Sequence, residues 1–270
     1  MSEYGFLALD IDGTVVNSKK QITPVVKGEI NRIQEAGVPV ALVSGRPTKG
    51  IEHIAAALDF DKYESYILAF NGGKIIECSS GKVVYNQTIP VSLAKEVCQV
   101  AKEYNVPIVT YKNDEIIATD PENKYTKIEA YVTHMDVRGV ESMEEEVDFA
   151  PDKFLYVDEP ERLEELLPIM QKRFEDRLNI FRSEPFFMEI VPMGIDKAKS
   201  LDRLLDKLGM DSTKLVACGD GFNDVSMVNF AGMGVAMGNA YDYVKEIADF
   251  VTADIDDDGI EKALKHFNLI

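Results

Sequence analysis

The stretch Phe6-Leu7-Ala8-Leu9-Asp10-Ile11-Asp12-Gly13-Thr14 decides the fold. Its first four residues are apolar without alternation, as in a strand buried on both faces of a parallel sheet. The strand then runs into Asp10, and Asp12 follows one residue later. Unpaired buried charge is unfavourable, and two like charges close together are worse. Either a counter-charge offsets them in the folded chain, or they lie in a site that uses the charge.

The same pattern recurs on both sides of a long interruption. Thr23-Pro24 reads as a helix N-cap followed by proline at the first helical position. Val26, Ile30 and Ile33 mark the buried stripe of that helix, and Gly37 marks its end. A second apolar strand follows and ends at Ser44, with Gly45 and Arg46 just beyond. A helix starts near Pro47, and the strand Tyr66-Ile67-Leu68-Ala69-Phe70 leads into Asn71-Gly72-Gly73 and a hairpin. In the last third, a helix beginning near Lys197 carries Leu201, Leu204, Leu205 and Leu208. Leu215-Val216-Ala217-Cys218-Gly219 is a strand ending at Asp220, and further helices and strands complete the alternation. Apolar strands separated by helices predict an α/β core, a Rossmann-like parallel sheet with helices on both faces.

The middle of the chain mixes helices with strand pairs and reads as an inserted α+β cap domain. Its expected bounds are 84–187, leaving 1–83 and 188–270 for the core. Within it, Glu141 to Asp148 reads as a solvated acidic face or loop, and Pro168 is expected to kink or break a helix.

The chain has 270 residues, 29 basic and 47 acidic, for a net charge of -18. Such a surface repels nucleic acid and anionic membrane, so neither is an expected partner. Cys78, Cys98 and Cys218 are far apart and form no CxxC pair, which suits small buried thiols in a reducing compartment. No arginine stands where a cysteine-phosphatase loop needs one, since Val84, Tyr104 and Asp224 occupy those positions. His53, His134 and His266 fit no catalytic motif. Glu3 and the short apolar run before Asp10 argue against a secretion signal, and no stretch is long enough to span a membrane. A cytoplasmic location is the expectation, with the oligomeric state left open.

Ligands of open parallel sheets bind outside the carboxyl ends of the strands. Asp10 and Asp12, then Ser44, Gly45 and Arg46, then Asp220, Asn223 and Asp224 all fall at such ends. Lys197 falls at a helix start, where the macrodipole disfavours a cation. Several carboxylates without histidine or thiolate make an oxygen-only site suited to Mg²⁺. Serine, asparagine and lysine add donors that suit a transferring phosphoryl group. A carboxylate in such a site can attack phosphorus, and a second one nearby can move the protons. Arg46 either contacts substrate or pairs with an acid near the helix start.

These motifs together resemble the haloacid dehalogenase superfamily of phosphohydrolases. Asp10-Ile11-Asp12-Gly13-Thr14 matches its DxDGT motif, Leu42-Val43-Ser44-Gly45-Arg46 its serine motif, Lys197 its lysine motif, and Gly219-Asp220-Gly221-Phe222-Asn223-Asp224 its GDxxND motif. The size and position of the insertion resemble the Cof-type, subclass IIB group, whose members include bacterial sugar-phosphate phosphatases. The resemblance implies that Asp10 is the nucleophile and a metal ligand. It implies that Asp12 is the general acid/base and binds the metal through its backbone carbonyl. Asp220 is then the remaining Mg²⁺ ligand, with Asp224 orienting the metal shell. Ser44, Gly45, Arg46, Lys197 and Asn223 form the phosphate-binding set, and Lys197 is also catalytic, stabilising the nucleophile. The expected activity is Mg²⁺-dependent hydrolysis of a small phosphorylated metabolite through an aspartyl-phosphate, with the cap selecting the substrate. A phosphomutase is the alternative, and a non-enzymatic phosphosugar sensor stands behind it.

Overall fold

The computed structural model describes residues 4–267, so Glu3 lies outside the described residues. The strands in chain order are β1 (Phe6–Leu9), β2 (Val40–Val43), β3 (Ser65–Ala69), β4 (Lys74–Glu77), β5 (Lys82–Asn86), β6 (Ile108–Lys112) and β7 (Glu115–Ala118). They continue with β8 (Val137–Gly139), β9 (Phe154–Val157), β10 (Leu178–Glu184), β11 (Phe187–Pro192), β12 (Leu215–Gly219), β13 (Met233–Ala236) and β14 (Phe250–Val251). The chain divides into two compact units. One comprises residues up to Tyr85 together with those from Asp196 onward, and the other is Asn86–Ile195.

The first unit holds an eight-stranded sheet in the order β14-β13-β12-β1-β2-β3-β4-β5, flanked by helices. Pairing is parallel from β14 through β3, and the turn into β4 reverses it. All four residues of β1 and all five of β12 are buried, which accounts for their unbroken apolar character. The helix Pro24–Glu35 begins as expected, with the Thr23 side chain accepting from the Val26 N–H. Its buried residues include Val26, Ile30 and Ile33.

The order of the sheet positions the site. β1 lies between β2 and β12, so the chain leaves β1 toward one side and later returns on the other. Such a switch point opens a crevice at the carboxyl ends. The registers Leu9↔Cys218 and Leu9↔Leu42 bring these ends level. Asp10 N–H extends the pairing by donating to the Cys218 carbonyl at 3.0 Å. The residues that follow each strand therefore meet on one edge.

The second unit holds a six-stranded sheet in the order β10-β11-β9-β6-β7-β8. The helices Val91–Glu103 and Pro160–Arg173 share its core through Val97, Val100, Leu163, Leu166 and Met170. These pack with Ile108, Phe154, Tyr156, Met188 and Ile190. Burying each large side chain contributes about 1.5–3 kcal/mol. The Tyr156 hydroxyl, fully buried, donates to the Val97 carbonyl at 2.6 Å.

Three expectations for this unit need correction. A boundary at 187/188 would cut β11 from the sheet in which it pairs with both β9 and β10, and the unit runs on to Ile195. The acidic run is not wholly a solvated loop. Met143–Glu146 is a short helix capped by Ser142, and Met143 and Val147 are buried. Pro168 does not break its helix, which runs as one element from Pro160 to Arg173. Pro168 lies on the exposed face, where water can satisfy the carbonyl that the proline leaves without a donor.

Candidate active site

Lys197 is the centre of the charged cluster. It is the first residue of the helix Lys197–Leu208, whose N-cap Asp196 accepts from the Lys199 N–H at 2.9 Å. The Lys197 side chain is fully buried and reaches two carboxylates. Its Nζ lies 2.6 Å from Asp10 Oδ1 and 2.5 Å from Asp224 Oδ1. These two ion pairs outweigh the modest penalty of a cation at a helix N-terminus.

Asp10, Asp220 and Asp224 each offer a carboxylate oxygen, and these oxygens lie within 4.8 Å of one another. Burial and the neighbouring Asp224 charge push the Asp10 carboxyl well up, although Lys197 opposes them. Burial and Asp224 likewise push Asp220 up to about 7. Burial alone would lower Lys197, but Asp10 and Asp224 raise it and keep it charged. Were all three carboxylates ionised, the Lys197 ammonium would still leave an excess of negative charge. The donors are all oxygen, and they fit a hard divalent cation that would remove that excess.

The local backbone is built to hold these groups. Asp224 Oδ2 accepts from the backbone N–H of Asp220 at 3.0 Å and of Gly221 at 2.8 Å. Thr14 Oγ1 donates to Asp220 Oδ1 at 3.4 Å. Asn239 Nδ2 donates to the Gly13 carbonyl at 2.8 Å and reaches Asp220 Oδ2 at 3.4 Å. Gly13 has φ +84°, and a Cβ there would lie 2.3 Å from Asp220 Oδ2. The glycine of the first motif is thus required by both backbone and space.

The serine motif forms a second tier. Ser44 is buried, and its Oγ accepts from the Arg46 N–H at 3.2 Å. The Ser44 carbonyl accepts from the Asn71 N–H at 2.8 Å. Asn71 has φ +56° and is buried, with its Oδ1 accepting from Asn223 Nδ2 at 3.1 Å. A Cβ on Gly45 would lie 3.3 Å from Asn71 Nδ2, so backbone and amide approach closely here. Asn71 thereby joins the second and fourth motifs.

The structure brings Asp10, Lys197, Asp220 and Asp224 together and sets Ser44, Gly45 and Asn223 around Asn71. It treats Asp12 differently. The Asp12 side chain is outside the carboxylate triad, in ion pairs with Arg46 and Lys20 at 2.7 Å each. Burial would raise its carboxyl, but these two cations hold it below the usual carboxylate range. Of the two readings open for Arg46, the structure shows the pairing with an acid. Sequence reasoning gave no site role to Asn71, Asn239 or Thr14. The Asn-Gly-Gly run signals a special backbone at Asn71, but nothing in the sequence marks its partner.

A model of the haloacid dehalogenase-like hydrolases matches residues 7–264. The chain belongs to this family. A crystal structure of a haloacid dehalogenase-like hydrolase from Bacteroides thetaiotaomicron superposes with a TM-score of 0.94 at 38% identity, covering 97% of this chain and 99% of that one. A subclass IIB sugar phosphatase of the same superfamily superposes with a TM-score of 0.83 at 28% identity, covering 98% and 99%. The 5-amino-6-(5-phospho-D-ribitylamino)uracil phosphatase YcsE of Bacillus subtilis is 29% identical, over 97% of this chain and 95% of its own. As a haloacid dehalogenase-like hydrolase with phosphatases among its relatives, the chain is an enzyme of the phosphatase type.

Proposed function

We propose that this enzyme is a Mg²⁺-dependent phosphomonoesterase that hydrolyses a small sugar phosphate through an aspartyl-phosphate on Asp10. One observation carries the reading: Asp10 is held by Lys197 in an all-oxygen carboxylate cluster at a topological switch point. The printed activities of the sugar phosphatase and of YcsE support a phosphorylated sugar or sugar-like substrate.

Asp10, Asp220, Asp224 and the Asp12 backbone carbonyl would hold the ion. Bound Mg²⁺ would neutralise the carboxylates and draw electron density from the phosphoryl oxygens. Lys197 orients the Asp10 carboxylate and offers positive charge to the phosphoryl group. Ser44, the Gly45 backbone and Asn223 supply donors for its remaining oxygens, and Arg46 adds positive charge beside them. The Asp10 carboxylate oxygen attacks phosphorus, the ester P–O bond breaks, and the leaving oxygen takes a proton from the Asp12 carboxyl. Asp12, now a carboxylate, then takes a proton from water as that water's oxygen attacks phosphorus. Inorganic phosphate leaves and Asp10 is regenerated. The ion pair with Arg46 favours the ionised form of Asp12, which is the form that the second step uses.

The insertion, in this reading, chooses among leaving groups, and the protein works in the cytoplasm. Among the described residues Cys78, Cys98 and Cys218 are free thiols, and no helix is long and apolar enough to cross a membrane. The test is phosphate release from hexose, pentose and nucleoside monophosphates, with Mg²⁺ and with EDTA. Release that EDTA abolishes and Mg²⁺ restores supports the reading. Isomerised sugar phosphate without free phosphate would replace it with a mutase.

A further inference from the structure

The catalytic loop carries an exposed aromatic group that the hydrolytic chemistry does not use. Phe222 stands between Asp220 and Asp224 in the fourth motif and is 73% exposed. Tyr241 and Tyr243 are 64% and 40% exposed. Their rings stack at 5.5 Å with planes 5° apart, and Phe222 meets Tyr243 edge-on at 6.1 Å and 72°. The three rings therefore make one preassembled surface.

This surface is tied to the phosphoryl site within the core unit. The Tyr241 N–H donates to the Asp220 carbonyl at 3.2 Å, and Phe222 directly follows Asp220 and Gly221, whose backbone N–H groups donate to Asp224 Oδ2. Exposed apolar area at the mouth of a polar site is a common mark of ligand recognition. A phosphomonoester whose phosphoryl group sits among the carboxylates must project its leaving group outward from that edge. A pyranose or furanose ring offers a face of slightly positive C–H groups, which suits the negative face of an aromatic ring. The two tyrosine hydroxyls add donors for sugar hydroxyls.

We propose that Phe222, Tyr241 and Tyr243 form a stacking platform for the cyclic sugar of the leaving group, so that the core itself discriminates ring-form from open-chain phosphates. The proposal rests on the phosphatase reading of the adjoining site.

The test compares cyclic aldose phosphates (glucose 6-phosphate, mannose 6-phosphate and ribose 5-phosphate) with their reduced, open-chain alditol phosphates. Each pair matches in phosphate charge but differs in the ring. Wild-type enzyme is expected to prefer the cyclic member of at least one pair in kcat/KM. Phe222→Ala and Tyr243→Leu are each expected to lower that preference about tenfold. A preference that survives both substitutions, or a wild type with no such preference, overturns the platform.

A second readout does not need turnover. The chain has no tryptophan, so Phe222→Trp places a single indole reporter in the platform. Its emission is expected to shift on titration with a cyclic phosphate more than with its alditol or with inorganic phosphate. Equal responses overturn the platform even if hydrolysis is confirmed. A selective response in an enzyme that releases no phosphate would keep the platform and overturn the hydrolytic reading alone.

Discussion

Arg46 grips both oxygens of Asp12, with Nε 2.7 Å from Oδ2 and Nη2 2.7 Å from Oδ1. Arg46 is in turn fixed by Nη1, which donates to the Gly50 carbonyl at 3.2 Å. A bidentate pair of this kind is geometrically specific, and it stabilises the ionised carboxylate. In the proposed mechanism Asp12 must donate a proton, and this pair favours its deprotonated form.

Arg46→Met is expected to raise the Asp12 carboxyl, because Arg46 is the stronger of the two cations that lower it. More of Asp12 is then protonated at a given pH. The limb of the kcat/KM profile that reports loss of the acid form should move to higher pH. Profiles of the two proteins on one substrate decide this, and an unmoved limb would separate Asp12 from the proton transfer.

Asp10→Asn should lower kcat by more than about a thousandfold, as expected for loss of a nucleophile. The fold should survive. Burial and Asp224 disfavour the Asp10 charge, so a neutral side chain of the same shape relieves that penalty. Melting in EDTA at an equal or higher temperature than wild type, together with lost turnover, is the expected pair of results. Retained turnover would remove Asp10 as the nucleophile.

Lys197→Met tests the opposite sign of charge. It leaves Asp10 and Asp224 buried without their shared cation. Breaking a buried pair in this way typically costs about 3–5 kcal/mol. Urea denaturation in EDTA should show a loss of that order, and Mg²⁺ should restore part of it. A loss under about 1 kcal/mol would mean that the carboxylates take up protons instead.

Asp220 would link the proposed metal binding to pH. Its carboxyl stands at about 7 in the folded chain against an ordinary value of 3.8. A raised folded value means that its contribution to stability is full below 3.8 and is lost as pH rises through about 7. A divalent ion binds the ionised form, so the gain in Tm on adding Mg²⁺ should be larger at about pH 8 than at about pH 5.5. Calorimetry with and without Mg²⁺ measures it. Equal gains at both pH values would take Asp220 out of the metal set.

The carboxylate cluster was legible because its members follow apolar strands, and a parallel sheet brings such ends to one edge. Asp10 after β1 and Asp220 after β12 follow from that rule alone. Lys197 was legible as a cation against the helix dipole. The Asn71–Asn223 and Asn239–Gly13 contacts were not legible. They join residues far apart in the chain through side-chain geometry that no periodicity encodes. The side-chain partners of Asp12 were legible in part: pairing with an acid was one of two readings open for Arg46, while nothing in the sequence marked Lys20. The second unit was harder to bound because β10 and β11 make an ordinary hairpin, and only their pairing with β9 shows which sheet owns them.

The first unit is assembled from two stretches of chain separated by Asn86–Ile195. During synthesis β1 emerges early, but its partner β12 follows only after the whole second unit has left the ribosome. The second unit is continuous and can complete its own sheet while the first waits. Until then β1 has one side without its native neighbour, an edge of the kind that invites pairing with other chains. The charges of the site are divided across the same gap, with Asp10 on one side and Lys197, Asp220 and Asp224 on the other. On the proposed assignment a partly made chain would be catalytically silent, and the carboxylate cluster comes together only in the step that closes the central sheet.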